Sequence, residues 1–150
     1  MSQSSSIVEN IASIRERMAA AARRVGRNGA EITLMAVTKT QPADSIVAAY
    51  AAGVRSFGEN RVQEFALKHE QIKDLDGAQF TLVGQLQSNK VGKAIELFST
   101  IQSVDSLRLA ERINGVVERA NGKIFTAVKK MLLDEKRASG PICYPRRSGH

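Results

Sequence analysis

Ile32-Thr33-Leu34-Met35-Ala36-Val37, followed by Thr38 and Lys39, is a short apolar run rich in β-branched residues and bounded by polar punctuation. That pattern predicts a strand buried on both faces, the kind found in parallel sheets. Lys39 then lies just beyond the strand's carboxyl end. Upstream, Ile7, Ile11, Ile14 and Met18 recur at three- and four-residue intervals, with Arg15, Glu16 and Arg17 between them. This spacing predicts an amphipathic helix capped by Ser4 to Ser6 and ending near Gly26 to Gly29.

Downstream the same alternation repeats. Pro42-Ala43-Asp44 opens a helix through Tyr50, and Gly53 occupies the position of a helix-terminating glycine. Val54 to Phe57 is a second strand, and Gly58-Glu59-Asn60 turns into a helix carrying Val62, Phe65, Ala66 and Ile72. Phe80 to Val83 is a third strand; Gln85 to Asn89 leads to a helix with Val91, Ile95 and Leu97. Thr100 to Val104 is a fourth, Asp105 or Ser106 caps a helix to about Ala120, and Lys123 to Val128 supplies a fifth strand.

Strands of four to six residues alternating with helices predict an α/β protein with a parallel sheet and right-handed crossovers. Five βα units in 150 residues fall short of an eight-unit barrel, which takes about 250. From pattern alone a doubly wound open sheet suits this length better. The first strand is not followed by G-x-G-x-x-G, however, and no G-x-x-x-x-G-K-S/T occurs, so the common nucleotide-binding forms of that sheet lack their fingerprints.

Composition narrows the function classes. With 43% hydrophobic residues, the chain can bury a core. Neither a signal peptide nor a membrane span is readable at the N-terminus, which leaves the cytoplasm as the expected location. The single cysteine, Cys143, and two separated histidines make no zinc spacing, so no metal is expected. The net charge of +7 is concentrated late: residues 123–150 hold seven Lys/Arg against Asp134 and Glu135, which supplies +5. Few aromatics interleave these charges, so a solvated basic tail is expected rather than a nucleic-acid surface.

Ligands of parallel α/β folds meet the loops leaving the strands' carboxyl ends. Lys39, Glu59-Asn60, Gln85 to Lys90 and Ser103 to Asp105 all fall at such exits. Each cluster also reads as ordinary capping and solubility. Spacing alone gives Lys39 two readings: a lysine snorkelling to water, or a desolvated amine able to attack an aldehyde and form a Schiff base. His69, among Lys68, Glu70 and Gln71, reads as a solvated residue of a surface helix.

Four ordered blocks carry a resemblance. Leu34-Met35-Ala36-Val37-Thr38-Lys39-Thr40-Gln41-Pro42 matches L-x-A-V-S/T-K-x-x-P. Phe57-Gly58-Glu59-Asn60 with Val62-Gln63-Glu64 follows, then Gly84-Gln85-Leu86-Gln87-Ser88-Asn89-Lys90, then Gln102-Ser103-Val104-Asp105-Ser106. Through these blocks residues 5–122 resemble the YggS/PROSC family of pyridoxal 5′-phosphate-binding, vitamin B6 homeostasis proteins, whose barrel is of the alanine racemase N-terminal type. The resemblance implies a partial TIM barrel of about five βα units after an N-terminal helix, with pyridoxal phosphate held as a Schiff base on Lys39. It implies Asn60, Gln87, Ser88 and Asn89 around the same mouth, B6 vitamers as the small-molecule partners, and a monomer or weak homo-oligomer.

The family has no established turnover reaction, so the expectation leans towards a binder with no catalytic residue assigned. A racemase-type enzyme is the first alternative; it needs a second acid/base group opposite the lysine, and residues 40–122 offer no assignable one. A nucleic-acid or acidic-partner binder acting through the tail is the second. After Gly122 the match fades, and residues 129–150 read as a non-family, poorly ordered basic tail following a partial cofactor-binding domain over 1–128. A frameshift or premature end in the coding sequence is the simplest account of that departure, and it implies loss of the late loops that contact the cofactor phosphate.

Overall fold

A computed structural model of the chain describes residues 3–119. The expected fifth strand at 123–128 and the tail at 129–150 lie outside the described residues. The chain divides into two compact units, Met1–Ser103 and Val104–His150.

The first unit begins with helix α1 (Gln3–Arg24), followed by a single 3-10 turn at Gly29–Glu31 that Asn28 caps by accepting from the Ala30 N–H at 3.0 Å. Strand β1 (Met35–Val37) leads to α2 (Ala43–Ala51), β2 (Ser56–Glu59) to α3 (Val62–His69), and β3 (Gln79–Leu82) to α4 (Val91–Leu97), before β4 (Thr100–Ile101). Ser4 to Ser6 fall within α1 rather than capping it, because the helix already begins at Gln3. Gly53, at φ +83°, terminates α2 as its position in the sequence predicts. Its carbonyl neighbour Ala52 accepts from Arg15 Nη1 at 2.6 Å, which ties α1 to the end of α2.

All three strand pairings are parallel, and the strands lie in the order β1-β2-β3-β4. A doubly wound sheet reverses direction at a switch point. This order has none, so the unit is a barrel-type arc, a partial TIM barrel, and the open-sheet reading suggested by length is set aside. The βα units run in sequence around it, each helix returning the chain to the strand's starting edge.

The two sheet faces differ. Phe57 of β2 stacks on Phe80 of β3 at 5.4 Å between ring centroids. Phe65 of α3 lies 4.8 Å from Phe80 and 4.7 Å from Phe98, so these four rings weld the helices to the sheet. On the opposite face, a Cβ added to Gly58 would meet Met35 Sδ at 3.1 Å, Val37 Cγ2 at 3.3 Å and Val83 Cγ1 at 3.5 Å. Met35, Val37 and Val83 therefore share the inner face of the arc. Val37 is 52% exposed there. The expectation of a first strand buried on both faces does not hold among the described residues: Met35 and Ala36 are half-buried and Val37 is exposed.

The second unit contributes α5 (Leu107–Arg119), whose buried positions Leu109, Ile113 and Val117 repeat every four residues. Ser106 Oγ accepts from the Leu109 N–H at 3.3 Å, which makes Ser106, rather than Asp105, the cap. Among the described residues no helix is long and apolar enough to cross a membrane, and no group of three or more His, Cys, Asp or Glu is placed to hold a metal ion.

Candidate functional site

The carboxyl ends of β1, β2 and β3 gather the polar residues singled out above. The β1–β2 ladder continues one residue past β1, with the Thr38 N–H donating to Gly58 O at 2.9 Å. Strand alternation then sets Thr38 on the helix side, and Lys39 follows in the turn that the Gln41 N–H closes onto Thr38 O. Thr38 is buried, and Lys39 is exposed. None of the ion pairs among the described residues engages Lys39. Its amine is thus open to solvent rather than desolvated by the strand.

The turn that carries Lys39 is held tightly. Thr40 adopts φ +62°, a left-handed conformation that is a genuine outlier for a β-branched residue. Such backbones cost on the order of 1–3 kcal/mol and persist where their surroundings over-determine them. Here the Thr40 N–H donates to Glu64 Oε1, and the Thr40 hydroxyl donates to Lys39 O at 2.6 Å. Lys68 Nζ donates to Thr38 O and Gln41 O, each at 3.0 Å, so one ammonium grips both ends of the turn.

Lys68 is itself buried, 7% exposed, and pairs with Glu59 Oε1 at 2.9 Å; Glu64 Oε1 lies 4.0 Å away. Glu59, at the end of β2, is fully buried and also accepts from the Thr38 hydroxyl at 2.6 Å. A buried ion pair recovers its desolvation cost only with good geometry and additional hydrogen bonds. Lys68 has them in the two turn carbonyls, whereas Glu59 has them on Oε1 alone, its Oε2 being buried with no hydrogen-bond partner among the described residues. The network joins the exit of β1, the end of β2 and the length of α3.

Sequence reading placed Lys68 on a wet helix surface and missed this network. The signal was present: Val62, Phe65 and Lys68 fall at three-residue intervals, which puts all three on one helix face. His69 is half-buried, not fully solvated, with its ring edge-on to Phe65 at 5.4 Å between centroids.

Asn60 and Gln87 line one cleft of about 350 Å³ together with Arg61, Gly84, Gln85 and Lys90. Ser88 and Asn89 are exposed on the 3-10 turn Ser88–Lys90 and do not line it; neither does Lys39. The structure therefore brings Asn60 and Gln87 together and leaves Lys39, Ser88 and Asn89 as separate exposed groups on the same strand-end edge. A larger cleft of about 510 Å³ opens at the strands' amino ends beside Leu34, Ser56 and Gln79. Its two arginines are occupied structurally. Arg15 bonds Ala52 O, and Arg55 stacks 3.8 Å from the Tyr50 ring centroid while donating to Tyr50 O and Val54 O. That end of the sheet serves packing.

No protein-family model matches the chain. Curated relatives do: a protein of Escherichia coli named pyridoxal phosphate homeostasis protein is 39% identical over 136 residues, covering 89% of this chain and 58% of the relative. Its namesake in Pseudomonas aeruginosa is 42% identical over 110 residues, covering 73% and 47%. Among solved structures, PipY, the COG0325 family member of Synechococcus elongatus, with pyridoxal phosphate bound, is similar with a TM-score of 0.63 and 42% identity over 76% of this chain and 49% of PipY. A crystal structure of a protein from Bifidobacterium adolescentis aligns with a TM-score of 0.72 at 37% identity, covering 80% of this chain and 54% of that one. The chain thus spans about half to three-fifths of the length of the relatives it matches.

Proposed function

Because this chain belongs to the COG0325 (YggS/PROSC) family over the part of the relatives' length that it spans, we propose that it binds pyridoxal phosphate through Lys39 and serves vitamin B6 homeostasis. The observation that carries the reading is the placement of Lys39: an exposed primary amine, free of ion pairs among the described residues, on a braced turn at the end of β1. When bound, the cofactor supplies an aldehyde that condenses with such an amine, with loss of water, to a Schiff base. The donor chemistry of Lys39 fits that partner.

The other residues have lesser roles in this reading. Asn60 and Gln87 line one cleft, and Ser88 and Asn89 stand exposed on the 3-10 turn that follows Gln87. They orient a ligand by hydrogen bonding rather than by charge. We read the chain as a binder in the cytoplasm, a monomer or weak homo-oligomer, with B6 vitamers rather than nucleic acid as its partners.

The test compares the chain with Lys39→Ala after incubation with pyridoxal phosphate, reading the visible band and the borohydride-fixed mass adduct on the peptide containing residue 39. An adduct specific to Lys39 and absent from the variant is expected. Equal signals in both proteins, or adducts spread evenly over exposed lysines, would overturn the reading. Exchange of an amino acid's α-proton by the parent chain alone would instead establish a racemase-type enzyme.

A further inference from the structure

We propose that Glu64 and Lys68 are positioning residues for Lys39, holding the left-handed turn at Thr40 from which the amine is presented. The inference rests on the assignment of Lys39 as the cofactor lysine and adds to it the groups that aim it.

The pattern of bonds is selective. Every anchor falls on the backbone around Lys39 or on its neighbours' side chains: Glu64 Oε1 accepts from the Thr40 N–H, and Lys68 Nζ donates to the carbonyls of Thr38 and Gln41. Thr38 is fastened a second time through its hydroxyl to Glu59. The turn closes on itself through the Gln41 N–H to Thr38 O at 3.1 Å and the Thr40 hydroxyl to Lys39 O at 2.6 Å. The backbone of four consecutive residues is thereby fixed, while the side chain of Lys39 is left outside the network.

A threonine at φ +62° would leave that conformation if nothing held it, since glycine alone occupies the region without steric cost. A relaxed turn would re-aim the Cα–Cβ bond of Lys39 and with it the reach of the amine. A network that merely stapled α3 to the sheet could do so through Glu59 and Lys68 alone. Glu64 bonding the strained residue itself is what points to positioning.

Glu64 supplies the clean test, because its side chain is 30% exposed and its removal leaves the Lys68–Glu59 pair in place. The variants are Glu64→Ala, Glu64→Gln, which keeps a carbonyl acceptor, and Glu64→Ala with Thr40→Gly, which removes the need for a brace. Two readouts are taken on the full chain: amide hydrogen exchange at residue 40, which involves no cofactor, and the borohydride-fixed pyridoxal phosphate adduct at Lys39 relative to that at exposed Lys93.

In Glu64→Ala the residue 40 amide should exchange roughly tenfold faster, and the Lys39 adduct should fall by a similar factor, the size expected when a strained backbone loses a charge-assisted hydrogen bond. Glu64→Gln should stay near the parent in both, and Thr40→Gly should restore the adduct in the Glu64→Ala background. Unchanged exchange in Glu64→Ala, an adduct that survives faster exchange, or failure of Thr40→Gly to restore it would each overturn the proposal while leaving the cofactor assignment standing. Absence of a Lys39 adduct in the parent would overturn the assignment itself, and this inference with it.

Discussion

A Cβ on Gly84 would sit 2.2 Å from the carbonyl oxygen of Asn60, 2.7 Å from its Cα and 2.8 Å from its carbonyl carbon. Only glycine permits the exits of β2 and β3 to come this close. The contact is backbone to backbone, so no side-chain rotation relieves it. Gly84→Ala should therefore destabilise the fold towards the upper end of the about 1–3 kcal/mol seen for overpacking, measured as a lowered urea midpoint. Because the same contact shapes the cleft shared by Asn60 and Gln87, the amide signals of Asn60 should shift in the folded variant.

Lys68→Met should cost about 3–5 kcal/mol in chemical denaturation, because Glu59 is left as a buried carboxylate without its cation. Combining it with Glu59→Leu should recover much of that loss, since replacing a buried pair by apolar groups is often close to neutral. A double variant as unstable as the single would show that the pair's hydrogen bonds to the turn, rather than the stranded charge, dominate.

Phe65 sits at the centre of the aromatic cluster with Phe80 and Phe98 and is fully buried. Phe65→Ala should cost about 3–5 kcal/mol. Leu67, two residues along the same helix and 83% exposed, should tolerate alanine within about 0.5 kcal/mol. Thermal or urea melts of the two variants check the contrast.

The Glu70–Lys73 pair, 2.7 Å apart beyond α3, gives a pH signature. The hydrogen bond and charge of Lys73 hold the Glu70 carboxyl below its ordinary value, and Glu70 in turn raises Lys73. A lowered carboxylate favours the folded state above its unfolded value, and that contribution is lost as pH falls through the lowered one. A raised lysine contributes fully below its unfolded value, and its share is lost as pH rises through the raised one. Lys73→Ala should return Glu70 to the ordinary carboxylate range in an NMR titration, and molar salt should shrink the parent's shift because the pair is exposed.

Much of the fold was legible because it rests on local signals. Pro42, Gly53 and Ser106 punctuate helices where their chemistry predicts, and the apolar runs around Ala36, Phe57 and Phe80 became neighbouring strands. Length misdirected the choice between open sheet and barrel, since strand order is a long-range property that no single run encodes. At the candidate site, the motif drew the eye to Lys39 and Asn60, but the brace on Lys39 comes from Lys68, 29 positions away in sequence. Charged residues default to the surface in any pattern reading. Lys68 escapes that default only through a partner, Glu59, that folding alone brings within reach.

The strand order has a consequence for how the chain is made. Met35 aligns with Ser56, Ser56 with Gln79, and Thr81 with Thr100, so each strand waits for a partner only about twenty residues behind it. At synthesis rates of about 5–20 residues per second, each pairing can close within roughly 1–4 s of its first strand leaving the ribosome. Among the described strands, growth of the sheet can keep pace with translation, one βα unit at a time, since each pairs with the one made just before it.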